Sequence, residues 1–348
     1  MESAATAAAN ESEQRPQPKG SPEPGAVVVD EVSGWLRIYD DGTVDRTWTG
    51  PPEALFLMQP VAPYDVPQDG ITVHDFSPGG DVPDLRVYLP TARNTPSEDR
   101  PRGGLPVLLH LQGGGFCISH PSWLMYHQFY ARLARSVPAA VISVALPLAP
   151  ERRLPAALDA AAAALRHIPL LPPPSPPAST YPASGANLVH LLAAAADGGS
   201  YGPVGLAGGI LLHPGFVRST RSRSELEQRA DSVFFTLDML DKFLALALPP
   251  GATKDHPYTC PMGPAAPPLE SLPLPPFLVG VAEHDLIVDT NMEYCDAMKR
   301  AGKDVEVLLS RGVSHSFYLN KFAVDTDPLT ADRTHELILA IANFIRRH

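Results

Sequence analysis

The chain has 348 residues, 44% of them apolar and 19% charged, enough for one large α/β domain or two ordinary ones with a sizeable core. A formal net charge of −11 argues against nucleic acid and anionic membrane surfaces as partners, since both call for basic faces. No apolar run approaches the roughly 18 residues of a spanning helix, and no basic-then-apolar leader opens the sequence.

Residues 1–26 are Ala, Glu, Ser, Pro and Gly with almost nothing bulky and apolar, so a disordered tail is expected there, with the folded part over 27–348. In "VVVDEVSGWLRIYDDGTVDRTW" strand-like halves flank Asp41-Gly42, a dipeptide suited to a tight turn. "DLRVYLP" alternates like a strand and ends at Pro90. "LPVLLHLQ" (105–112) and "AAVISVAL" (139–146) are short continuous apolar runs, the pattern of strands buried on both faces of a parallel sheet. Between them "YHQFYARLARSV" has helical spacing, and "ALDAAAAAL" (157–165) is helix by propensity. "PLLPPPSPPASTYPAS" (169–184) then carries seven prolines. Each proline removes a backbone donor, so the segment is expected to be neither central strand nor helix interior. Beyond it come helix at "ANLVHLLAAAAD", strands at "GGILLHPGF" and "PPFLVGVAEHD", an amphipathic helix at "TNMEYCDAMKRAG", a last strand at "DVEVLLS" and a closing helix. This alternation predicts a mostly parallel, doubly wound α/β sheet in which the strand ahead of "SGANLVH" is disrupted.

Two constellations carry chemistry. In "HLQGGGFCISH" (110–120) three glycines follow a buried strand, where backbone N–H groups can approach a ligand without Cβ interference, as an oxyanion hole requires. In "VAEHDLIVD" and "GVSHSF" an aspartate, Asp285, follows one buried strand and His315 follows the next, so both fall on loops at one sheet edge. There a carboxylate can fix the tautomer of an imidazole and stabilise its protonated form. His284 and Asp289 are read as surface or supporting groups. Cys117, Cys260 and Cys295 are too far apart for a disulfide framework or a zinc site and read as free thiols of a reducing compartment, which points to a cytoplasmic location, with the nucleus open as well.

The glycine run, "LAPERRLPAALD" (148–159), "SGANLVH", "ILLHPGF", "DHPYTCPMGP" (255–264), "AEHDLIVD" and "GVSHSFYL" stand in the order seen in plant carboxylesterases. Over residues 27–348 the chain resembles that group, the α/β-hydrolases related to hormone-sensitive lipase, which also contains the gibberellin receptors. The resemblance implies an α/β-hydrolase fold, a cap over the pocket formed by the N-terminal segment (27–75), and a Ser-His-Asp hydrolase of small carboxylic esters with no metal or organic cofactor. It places the acid at Asp285, the base at His315 and the oxyanion hole at Gly113 and Gly114. Gln112 stands where the group has a histidine. Anchored on Gly185-Ala186-Asn187-Leu188, the elbow puts Ala183 in the nucleophile slot, Pro182 for an aspartate and Tyr181 for the first glycine. Ser184, one position on, is the alternative nucleophile, although such a shift moves a hydroxyl by several ångströms.

Three readings follow: an esterase impaired at its elbow, a catalytically inactive receptor-like protein binding a small ester or hydrophobic ligand, or the product of a disturbed gene model in which a slipped frame produced residues 169–183. "RSTRSRSELE" (218–227) is a basic patch expected in a solvated loop or lid, and Phe234, Phe235 and Leu237 beside it are expected in the core rather than along the pocket.

Overall fold

A computed structural model describes residues 21–91, 105–171, 179–196, 198–227 and 235–348. The tail to residue 20, the prolines of 172–178 and Phe234 lie outside the described residues, as does the side chain of Ser184.

The N-terminal segment folds as a small antiparallel sheet, β1 (Val28–Val32), β2 (Leu36–Tyr39) and β3 (Val44–Asp45). The turn at Asp41-Gly42 is as read: Gly42 takes φ +82° and its N–H bonds the Tyr39 carbonyl. Next come β4 (Tyr64–Gln68), β5 (Ile71–Phe76), β6 (Leu85–Pro90) and β7 (Val107–Leu111), then helix α1 (Leu124–Ser136), β8 (Ala140–Val144) and α2 (Ala156–His167). β9 (Thr180–Ser184) leads into α3 (Ala186–Ala195), and a two-residue hairpin, β10 (Ser200–Tyr201) with β11 (Val204–Gly205), precedes β12 (Gly209–Leu212). The rest alternates: α4 (Arg223–Glu227), α5 (Leu237–Ala247), β13 (Phe277–Ala282), α6 (Val288–Arg300), β14 (Val305–Ser310), α7 (Lys321–Thr326) and α8 (Pro328–Arg347).

The described strands of the main sheet lie in the order β14-β13-β12-β9-β7-β8-β6-β5-β4. Pairing is parallel from β14 across to β8 and antiparallel from β8 to β4. The continuous apolar runs sit at its centre, buried on both faces, as their composition demands. One face packs under α2, α3 and α6, the other under α1 and α8, giving the three-layer α/β-hydrolase architecture.

The expectation for 169–184 needs correction at its end. Thr180–Ser184 is a central strand, paired with β7 along all five residues despite Pro182. In a parallel sheet the peptide groups of successive residues face opposite neighbours. The Gly185 N–H bonds the Leu111 carbonyl of β7, so Ala183 and Tyr181 also face β7 and Pro182 faces β12. On that side the ladder pairs only Ala183 and Ser184, with an isolated bridge from Thr180 to Leu206. The missing donor of Pro182 falls in the gap between these two pairings.

Candidate active site

The C-terminal ends of β7, β12, β13 and β14 carry the loops that meet over one pocket of about 160 Å³. Parallel strands end together, so residues far apart in sequence converge there.

The glycine loop leaves β7 through Gln112. Gly114 has φ +91°, and a Cβ there would lie 2.6 Å from Ile118 Cγ1 and 2.7 Å from Ser119 Oγ, so no other residue fits. Ser119 Oγ donates to the Gly113 carbonyl at 3.1 Å and shares a 2.8 Å bond with the Tyr126 hydroxyl. In a trans peptide the C=O and the following N–H point in opposite directions. Anchoring the Gly113 carbonyl on Ser119 therefore turns the Gly114 N–H the other way. Gln112 braces the loop by accepting from the Leu146 N–H through Oε1 at 3.3 Å, while its Nε2 is buried without a partner. Below the glycines, Arg46 of the N-terminal segment ties this loop to the connection between β8 and α2. Nε donates to the Cys117 carbonyl, one terminal nitrogen to the Ala149 carbonyl, and both to the Glu151 carboxylate, at 2.6–2.8 Å.

Across the pocket, Asp285 is 1% exposed just beyond β13. Its Oδ1 accepts the Ile287 N–H at 3.2 Å and its Oδ2 accepts from His315 Nδ1 at 2.8 Å. Burial pushes this carboxyl upward, but the His315 ring, its hydrogen bond and the Ile287 N–H outweigh burial and hold it below the ordinary carboxylate range. With Nδ1 committed to Asp285, Nε2 is the nitrogen that His315 can offer to the pocket it lines. The Phe235 ring stacks on it, with centroids 4.0 Å apart and planes at 22°.

His213, at the end of β12, is a third member with no mark in the sequence beyond its place at a strand end. It is 4% exposed at φ +48°, with Nδ1 3.8 Å from Asp285 Oδ2. That nitrogen accepts the Ser316 N–H at 2.7 Å, which fixes the neutral tautomer with its proton on Nε2. Burial, aided by the nearby His315, holds its pKa down at about 3. Donor atoms of His213, Asp285 and His315 lie within 4.8 Å of one another, close enough to suggest a metal site. Both imidazole nitrogens facing the carboxylate already have protein partners, His315 Nδ1 the Asp285 carboxylate and His213 Nδ1 the Ser316 N–H, which leaves neither turned to a cation.

The remaining expectations sort as follows. Gly113, Gly114 and His315 line the pocket and Asp285 stands behind His315. Ala183 does not line it: its methyl lies on the α8 side of β9 with Tyr181, 2% exposed, in an apolar layer with Leu108, Ile210 and Leu212. From this segment Ala186 and Asn187 reach the pocket instead. Asn187 Nδ2 ties the start of α3 to the Gly215 and Tyr258 carbonyls, both at 3.0 Å. Phe235, expected in the core, is a pocket wall because it covers His315, while Leu237 packs on the main core. The basic patch is neutralised locally, Arg218 by Glu293 and Arg221 by Glu225 and Asp241. Asp289 supports α4 by accepting the Ser224 N–H. Cys117, Cys260 and Cys295 are free and buried. Among the described residues no helix is long and apolar enough to cross a membrane.

Comparison with known proteins agrees with this architecture. A family profile described as alpha/beta hydrolase fold matches residues 108–319. The chain is 31% identical over 337 residues to Probable carboxylesterase 6 of Arabidopsis thaliana, covering 92% of each chain. It is 33% identical over 264 residues to the Gibberellin receptor GID1C of the same plant, over 71% of this chain and 75% of that one. An esterase of Pyrobaculum calidifontis shares the fold with a TM-score of 0.63, at 24% identity over 79% of this chain and 85% of that chain.

Proposed function

Because this chain belongs to the α/β-hydrolase-fold family and is carboxylesterase-like within it, we propose that it binds small carboxylic esters and hydrolyses them slowly, through water rather than through an acyl-enzyme. The observation that carries the reading is the 2.8 Å bond between Asp285 and His315 facing the glycine loop across one pocket, with alanine at position 183.

The ester carbonyl points at the N–H groups of Gly113 and Gly114. His315 Nε2 takes a proton from a water as its oxygen adds to the carbonyl carbon, and Asp285 stabilises the imidazolium that results. The tetrahedral oxyanion rests on the glycine donors. Its collapse breaks the C–O bond, and the imidazolium returns the proton to the leaving alkoxide, so acid and alcohol depart with the base regenerated. Triads that lose a member keep about 10³–10⁴-fold catalysis over water from the oxyanion hole and binding, and that is the scale expected here. The three buried thiols suit a reducing compartment, and we place the protein in the cytosol on that ground.

A second reading, a ligand-binding protein without turnover, is favoured by the same alanine and by the likeness to a protein named as a gibberellin receptor. Hydrolysis of p-nitrophenyl acetate and labelling by a fluorophosphonate separate the two. Slow turnover that falls about 10²-fold or more in His315→Ala, without labelling, supports the proposal. Turnover indifferent to His315 sinks it, and labelling abolished by Ser184→Ala moves the nucleophile to Ser184. Ligand binding with no turnover at all selects the second reading.

A further inference from the structure

No Lys, Arg, Asp or Glu is among the described residues lining the pocket, so an ionic group on the ligand would find no permanently charged partner along its walls. The volume of about 160 Å³ is close to the roughly 150 Å³ cavity that holds a benzene molecule. A guest therefore fits as one six-membered ring or a short chain beside the reacting carbonyl.

The walls discriminate between those two. Trp35 of the cap, Trp123 before α1 and Tyr126 in its first turn all line the pocket with nearly parallel rings. Trp35 and Trp123 are inclined by 17° with centroids 6.3 Å apart, and Trp123 and Tyr126 by 13° with centroids 6.5 Å apart. Such a ladder offers aligned π-faces over two steps, along which a planar ring stacks and a puckered one does not. Trp35 is held in this attitude from behind. Trp48 meets it edge-on at 4.6 Å and 68°, and Trp48 Nε1 is itself tied to the Pro51 carbonyl at 2.9 Å. At 5% exposure, Trp35 has little room to turn.

Resting on the pocket assignment made above, we propose that the site selects an uncharged ester carrying a single planar aryl group, and that Trp35 of the N-terminal cap is the residue that sets this preference. The cap is then a specificity element as well as a cover, because it supplies the outermost ring of the ladder.

Unreactive ketones test this without requiring turnover: acetophenone, cyclohexyl methyl ketone of nearly equal size, and 2-undecanone, titrated against the full chain by ligand-observed NMR. Acetophenone is expected to bind about three- to tenfold more tightly than the cyclohexyl ketone, the range that one or two aromatic contacts provide. The nonyl chain of 2-undecanone is expected to gain nothing over the butyl chain of 2-hexanone, titrated in the same way. Trp35→Leu, which keeps an apolar side chain but removes the π-face, brings the aryl-to-cyclohexyl ratio to about one, and Trp35→Phe retains the preference. Should Trp35→Leu fail to fold, Trp123→Leu removes the neighbouring ring and must lower the same ratio. Equal affinities in the unmodified chain, or a ratio that survives loss of the ring, overturn the proposal. Aryl preference without hydrolysis of phenyl acetate refutes the catalytic reading alone, whereas hydrolysis without aryl preference refutes this one alone.

Discussion

Ala183→Ser is the substitution that the sequence invites, since it restores a serine to the slot where related hydrolases carry one. The structure predicts that it fails. The Ala183 methyl lies on the α8 face of β9, 2% exposed, with Tyr181 two residues before it on the same side. A serine hydroxyl there enters an apolar layer, and an unsatisfied buried hydroxyl costs about 1–3 kcal/mol. At about 2 °C per kcal/mol for a domain of this size, the melting temperature falls by about 2–6 °C. Catalysis does not improve, because a nucleophile must come within about 3 Å of the His315 nitrogen that takes its proton, and residue 183 does not line the pocket. Differential scanning fluorimetry measures the first effect; p-nitrophenyl acetate turnover and fluorophosphonate labelling measure the second. A variant that labels, turns over at least a hundredfold faster and loses both properties in the His315→Ala background would place residue 183 beside His315 and refute the register argument for β9.

Three further outcomes follow from the same geometry. Gly114→Ala places a Cβ 2.6 Å from Ile118 Cγ1 at a φ of +91°, so it should lower stability by about 1–3 kcal/mol and abolish His315-dependent hydrolysis, read by denaturant melts and esterase assay. Arg46→Lys cannot reproduce the fork that joins the Cys117 and Ala149 carbonyls to Glu151, and should cost about 1–3 kcal/mol while raising proteolysis of the cap, followed by limited digestion. Burial holds His110, His190 and His213 neutral, with pKa values lowered to about 3, 4 and 3 from 6.5. The unfolded chain takes up those three protons below about pH 6.5 and the folded one does not, so stability should fall as pH drops from about 6.5 towards 4, by up to about 4 kcal/mol per unit; a flat melting temperature across that range would contradict it.

The placement of Asp285, His315 and the glycine loop at one pocket was legible because each is announced by a strong local pattern, a buried strand followed by a polar residue or by glycines. Strand ends in a parallel sheet converge, so position in the alternation was enough to bring Asp285 and His315 together. His213 was not legible: one histidine in twelve has no distinguishing spacing, and its role comes from a backbone N–H 103 positions away. Arg46 escaped for a related reason, since two of its three partners are carbonyls, which the sequence does not mark, and the third, Glu151, is 105 positions away. Phe235 was read only in part, because apolar spacing identifies a side chain that is covered and does not say by what: it packs against the main core and also stacks on His315 in the pocket wall.

The misreading of "TYPAS" has a different origin. Counting prolines treats each one as a broken ladder, yet a residue in a parallel strand presents its peptide group to one neighbour only. What decides the outcome is therefore parity and where the facing strand begins. Gly185 bonds β7, so Pro182 faces β12, and β12 starts at Gly209, opposite Pro182 in this register, with its first paired residue at Ala183. The donor that proline lacks falls in the unpaired stretch between Thr180 and Ala183. The same parity sends the side chains of Tyr181 and Ala183 to the α8 face, where the Tyr181 hydroxyl reaches the Ile345 carbonyl and its ring meets Phe344 edge-on. A tyrosine anchored there fixes the face that residue 183 presents. It commits position 183 to the core, and a serine hydroxyl placed there reaches the pocket only once Tyr181 is released.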